Sequence, residues 1–111
     1  MSLDDLDFIK HIRDEAAFII KHTGGKSRDE IFDDEVLIKA LVNSIGNIGE
    51  ASGKTSEEFR NKYPAIPWRA IRNTRNIIIH HYFGIDYDAL WNIISNDIPE
   101  LIEQVNNILE K

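Results

Sequence analysis

The reactive side chains of this 111-residue sequence gather in Arg75-Asn76-Ile77-Ile78-Ile79-His80-His81-Tyr82, with Arg69 and Arg72 just upstream. Histidine titrates near neutrality, so His80 can accept or release a proton. Arginine stays charged and presents a planar fork of donors that grips a phosphate through two parallel hydrogen bonds. At about 100° per residue, Arg72, Asn76 and His80 fall at i, i+4 and i+8 and stack along one line of a helix. With Arg75 at about 0°, Ile71, Ile77, Ile78, Ile79 and Tyr82 span from roughly 200° through 320° to 40°. A helix apolar on so many sides is central to a bundle or covered by a second protomer. Its polar strip (Arg72, Asn73, Asn76, His80) must then be hydrogen-bonded, or burial costs several kcal/mol. Two uses of the strip stay open: Asn76 and His80 satisfy neighbouring backbone groups, or the strip binds and reacts. His81 falls among the isoleucines and reads as structural, and His11 and His22 read as surface residues.

The charge pattern favours the second use. The net charge is −6, which opposes loose binding to nucleic acid or an anionic membrane. Between Phe59 and Ile85, however, the only charged residues are Arg60, Lys62, Arg69, Arg72 and Arg75, so this window is +5 and the remainder −11 (−11 + 5 = −6). Such a window is either a solvated helix face or a local anion site on an acidic body. No cysteine is present, which excludes disulfides and thiolate metal sites. No Asp, Glu and His cluster has ligand spacing, so neither metal nor cofactor is expected. Gly25-Lys26-Ser27 resembles the end of a phosphate loop, but the earlier glycine that loop requires would stand where Ile20 is, so it reads as a turn.

The elements that must position these residues read as helices. Ile9, Ile12, Ala16 and Ile19 recur at helical spacing before Gly24-Gly25. Asp33 or Asp34 caps a second helix with the stripe Leu37, Leu41, Ile45, Ile48, stopped by Gly53. Thr55 and Glu58 have capping-box spacing for a short third. Pro67 suits the first position of the fourth helix, which runs through Trp68 to about His81, and Gly84 breaks it. Asp86 caps a fifth with Leu90, Trp91 and Ile94. Pro99 predicts a kink near Asp97 before Leu101, Ile102, Val105 and Leu109. Strand-like alternation is absent. The expectation is one all-α domain over residues 1–111, a bundle of four to five helices. The absence of a long apolar run or a signal peptide predicts a cytoplasmic chain with no membrane partner.

Arg75-Asn76-x3-His80-x-Tyr82 matches Arg-x4-His-x-Tyr, and the chain resembles the HepT-like HEPN ribonuclease toxins. The likeness extends to Ile48-Gly49-Glu50-Ala51, Tyr63-Pro64, Ile66-Pro67-Trp68, Ile85-Asp86 and Leu90-Trp91. One departure is Asn73-Thr74, where the family has Gly-Met or similar. The resemblance implies a HEPN-type bundle and a metal-independent endoribonuclease acting on RNA, with Arg75 and His80 catalytic and Arg69, Arg72 and Asn76 supporting. It implies a toxin neutralised by a partner minimal nucleotidyltransferase antitoxin, which transfers AMP to Tyr82. One chain supplies one motif histidine, and Arg75 and His80 point about 140° apart on an ideal helix, so a two-fold homodimer with a shared cleft is expected. The alternative is a non-catalytic helical module that docks a nucleotidyltransferase or a nucleotide.

Overall fold

Carboxylates and hydroxyls open most of the helices. In the computed structural model, which describes residues 4–74, 76 and 84–110, the Asp4 carboxylate accepts from the Asp7 amide and Asp7 returns the bond to the Asp4 amide. This reciprocal cap starts α1 (Asp5–Thr23), satisfying donors that the first turn cannot pair internally. The helix ends at Gly24, and Gly25 takes φ +76°, a backbone region that favours glycine. A short helix absent from the sequence reading follows, α2 (Arg28–Phe32). Ser27 caps it, and the Ser27 backbone N–H, then its hydroxyl, hold the Glu30 carboxyl below its ordinary value. Its one turn buries Ile31.

Of the two aspartates that could cap the next helix, Asp34 does so, accepting from the Leu37 amide at 3.0 Å. α3 (Glu35–Lys54) buries Leu37, Leu41, Ile45 and Ile48 as its spacing predicts. Gly53 does not stop it. The helix runs one residue further, to Lys54, and Thr55 closes it with its N–H on the Ser52 carbonyl. Thr55 therefore does not cap the third helix; Ser56 does, accepting from the Phe59 amide at the start of α4 (Glu57–Lys62).

α1 lies between α3 on one side and the C-terminal helix α7 (Ile98–Leu109) on the other. Ile9, Ile12, Ala16 and Ile19 of α1 are wholly buried against Leu41 and Ile45 of α3 and Leu101 and Val105 of α7. Each large apolar side chain so buried contributes roughly 1.5–3 kcal/mol before chain entropy is counted. One polar tie crosses this core: the Ser44 hydroxyl donates to the Glu15 carboxylate at 2.6 Å. The Asp5 carboxylate fixes the start of α4 by accepting from both the Ser56 amide and hydroxyl, each at 2.7 Å.

At the C-terminal end, Asp86 caps α6 (Tyr87–Asn92), accepting from the Ala89 amide. Where a kink is expected, Ile93–Asp97 widen into a π-helical turn in which the Ile98 N–H reaches the Ile93 carbonyl. The added residue lets Ile93, Ile94 and Ile98 all face the core. Pro99 then sits in the first turn of α7, where no intrahelical N–H is required. The fold is all-α, and no strand occurs among the described residues.

The helix that leads into the motif, α5 (Trp68–Arg72), is shorter than expected and begins after Pro67 rather than with it. It packs on the C-terminal half of α3. The contact is close because α3 presents glycine there. A Cβ on Gly49 would lie 3.0 Å from the Ile71 carbonyl oxygen, whereas one on Gly53 would meet the Arg72 side chain at 3.6 Å, an ordinary distance. Replacing a helical glycine by alanine otherwise stabilises by about 1 kcal/mol. Gly53→Ala is accordingly expected to raise stability. Gly49→Ala is expected to lose about 1–3 kcal/mol as α5 is pushed outward. Denaturant unfolding measures both, and equal gains at the two positions would remove the close-approach account.

Candidate functional site

Seven residues before the motif arginine, at Trp68, the backbone is fixed by an aromatic cluster. Phe59 of α4 packs on Tyr63 at 4.9 Å and on Trp68 at 6.2 Å between ring centroids. The indole N–H of Trp68 donates to the Tyr63 carbonyl at 3.0 Å, and Ile66 is buried beneath. The linker from Tyr63 to Pro67 thus turns α5 against α4, as its two prolines require.

Past Arg72 the fourth helix of the sequence reading is not one even rod. The Asn73 N–H bonds both the Arg69 and Ala70 carbonyls, and the Asn76 N–H bonds the Asn73 carbonyl. The Ala70–Asn73 and Asn73–Asn76 bonds are i+3 while Arg69–Asn73 is i+4, so the helix tightens at Asn73 and the even line from Arg72 to Asn76, at about 100° per residue, is interrupted there. Arg69, Arg72, Asn73 and Asn76 are all exposed. In the single chain, this part of the polar strip is therefore open to solvent. At the Asn73-Thr74 departure, the Thr74 hydroxyl folds back to donate to the Ile71 carbonyl at 2.6 Å. That satisfies it beside Gly49. Arg75, His80 and Tyr82 lie outside the described residues, as do His81 and the isoleucines between.

What the described part of the site presents is positive charge. Arg60 and Asn61 from α4, Pro64 and Pro67 from the linker, and Arg69 and Arg72 from α5 line a wide, open hollow of about 770 Å³ that reaches Asn73. No carboxylate lines it. Among the described residues Arg69 and Arg72 make no hydrogen bond or ion pair, and the Arg72 stem rests over Gly53. Arg60 uses one guanidinium nitrogen on the Thr55 carbonyl and hydroxyl. Arg60 and Asn61 were not singled out as site residues by spacing. The acid-free charge window was the signal that contained Arg60, while Asn61 enters only through the packing of α4 on the linker.

A second hollow, of about 230 Å³, lies on the other side of Pro67 and Ala70. Ile45, Ile48, Ile71, Ile98 and Leu101 make it apolar, with Asp97 and Glu100 at its edge. Burial, with a smaller contribution from the neighbouring Glu100, pushes the Asp97 carboxyl up from its ordinary value. No basic side chain lines this hollow, so it suits no phosphate. His11 is exposed, and His22 is half-buried against the Phe18 ring at 4.4 Å. Among the described residues no three His, Asp or Glu side chains converge as a metal ion would need, and no helix is long and apolar enough to cross a membrane.

Residues 12–108 match the family model described as ribonuclease HepT-like. The chain is similar to a protein named "Putative RNase" from Caldanaerobacter subterraneus subsp. tengcongensis, 40% identical over 104 residues, or 94% of this chain and 93% of that one. It is 36% identical to a "Putative RNase" from Methanocaldococcus jannaschii over 94% of this chain and 83% of the relative. It is 32% identical to the "Probable ribonuclease HepT" of Thermococcus cleftensis over 86% of each. No solved structure matches.

The raised Asp97 carboxyl has a consequence for stability. An acid whose folded pKa exceeds its unfolded one binds more protons when folded between the two values, so stability falls as pH rises through that window. The window begins at the ordinary carboxylate value of 3.8 and ends above it. Asp97 makes no side-chain cap bond, so its loss breaks none. Asp97→Asn is expected to melt slightly higher than wild type at pH 7 and equally at pH 3. A lower melting temperature at pH 7 would contradict this.

Proposed function

The chain belongs to the HepT-like ribonuclease family, and we propose that it is a metal-independent endoribonuclease and the toxin of a toxin–antitoxin pair. The observation that carries the reading is the intact Arg75-x4-His80-x-Tyr82 set in a member of that family. A pure scaffold has no use for this triplet.

The chemistry follows from the residue types. A ribose 2′-hydroxyl attacks the adjacent phosphorus, a base takes its proton, and the P–O bond to the 5′-oxygen breaks as that oxygen gains a proton. The products are a 2′,3′-cyclic phosphate and a 5′-hydroxyl. Histidine serves as base or acid at neutral pH, and Arg75 grips the phosphate and the charge it gains in the transition state. Two proton transfers need two groups, and each chain has one motif histidine. A homodimer sharing one cleft supplies both. Arg69, Arg72 and Asn76, all exposed, lead the backbone of the RNA to this cleft.

Tyr82 is the acceptor for AMP from a partner minimal nucleotidyltransferase, the antitoxin. The phenolic oxygen attacks the α-phosphorus of ATP, and pyrophosphate leaves. The added nucleotide blocks RNA by bulk and by negative charge.

His80→Ala and Arg75→Ala are each expected to lower RNA cleavage by about 10²–10⁴-fold, with wild-type cleavage undiminished by EDTA. A quantitative RNase assay measures both. Equal activity of wild type and both variants would leave the non-catalytic binding module as the reading. Mass spectrometry after co-expression with the partner is expected to find AMP on Tyr82 and none in Tyr82→Phe; an unmodified Tyr82 counts against the partner's role.

A further inference from the structure

We infer that the hollow between α4 and α5 is an extension of the RNA site that holds one or two unpaired nucleotides beside the cleaved linkage, with Arg60 and Asn61 as binding residues. The inference rests on the nuclease reading above and names what that site selects, single-stranded rather than duplex RNA.

Three features of the hollow point to an unpaired strand. The first is charge. Arg60, Arg69 and Arg72 converge on it, no carboxylate lines it, and the chain outside the acid-free window is −11 (−6 − 5 = −11). A polyanion is attracted here and repelled over most of the remaining surface. The second is the floor. Pro64, Pro67, Ala70 and the largely buried Trp68 line it beside the arginines, and the Trp68 indole N–H is held by the Tyr63 carbonyl. An apolar floor beside cations is covered well by a base face with its phosphate at the rim, the arrangement of single-strand sites. In a duplex the base faces are stacked inside, so only phosphates and ribose would reach the rim and the floor would stay uncovered. The third is size and place. At about 770 Å³ the hollow takes about one or two nucleotides. It reaches Asn73, which stands two residues before Arg75 in the sequence.

Asn61 is exposed on the α4 side of the hollow, where its amide can donate to a phosphate or a base edge. Arg60 is partly committed to Thr55, which aims the guanidinium rather than neutralising it.

Fluorescence anisotropy with 2′-O-methyl oligonucleotides of two and eight residues, which resist cleavage, tests the inference on the full chain. Wild type is expected to bind the eight-residue strand about tenfold more tightly than the two-residue one, and more tightly than a duplex of equal length. Asn61→Asp and Arg60→Gln are each expected to weaken binding of the longer strand about tenfold, and Arg60→Gln to lower the salt slope by about 0.7. Because Arg60 also holds Thr55, Asn61→Asp decides the matter if Arg60→Gln melts lower than wild type. Unchanged binding of the long strand by Asn61→Asp, or duplex bound as tightly as single strand, overturns the inference. If wild type cleaves RNA while the variants bind like wild type, only the hollow's role falls. If wild type neither cleaves nor binds RNA, the nuclease reading falls with it.

Discussion

The backbone of α5 comes within contact distance of α3 at Gly49, and much of the site's placement follows from that approach. Any side chain at position 49 would meet the Ile71 carbonyl oxygen at 3.0 Å, so α5 could not settle where it does. With glycine there, Ile71 reaches the core beside Ile45 and Ile48, and the Thr74 hydroxyl turns inward to the Ile71 carbonyl. One turn along α3, the Arg72 stem lies over Gly53 at a distance that a Cβ would also tolerate. Of the two glycines at i and i+4, Gly49 thus seats the backbone of the segment that enters the motif.

Charge is distributed to suit that placement. Most helix starts in this chain use acids or hydroxyls: Asp4, Ser27, Asp34, Ser56 and Asp86 accept from first-turn amides, and several first turns carry further carboxylates. These acids favour helix starts on electrostatic grounds and make the body of the protein negative. α5 and α7 lack a side-chain cap, and of these two only α5 also lacks a first-turn acid. α5 starts after Pro67 and ends in Arg69 and Arg72. On the acid-free stretch an anion therefore meets arginines with no carboxylate among the lining residues, and the aromatic packing of Phe59, Tyr63 and Trp68 brings Arg60 to the same surface.

The C-terminal helices close the bundle, and Gln104 of α7 donates to the Ala65 carbonyl of the linker at 3.1 Å. The π-helical turn at Ile93–Asp97 absorbs the step that Pro99 imposes and keeps Ile93, Ile94 and Ile98 on the core side. α7 then packs along α1, with Leu101 and Val105 buried. The apolar hollow under α5 is bounded by this turn, which is why Asp97 lies at the edge of a low-dielectric region.

The sequence by itself determined the helical class, the core stripes and the family. Ile9, Ile12, Ala16 and Ile19, and Leu37, Leu41, Ile45 and Ile48, are buried as their spacing requires, because a 3.6-residue period fixes which side chains share a face. The family follows from the Arg75–Tyr82 pattern and its flanks, which are matters of residue identity. The tertiary structure decided what local pattern leaves open. Gly53 reads locally as a helix stop, but α3 runs one residue past it to Lys54, where Thr55 closes the helix. The Asn73 turn interrupted the even helical projection, because its i+3 bonds depend on where α5 is held. Arg60 and Asn61 joined the basic surface only through the fold of the proline linker. A period describes one element, whereas a binding surface is made where separate elements pack.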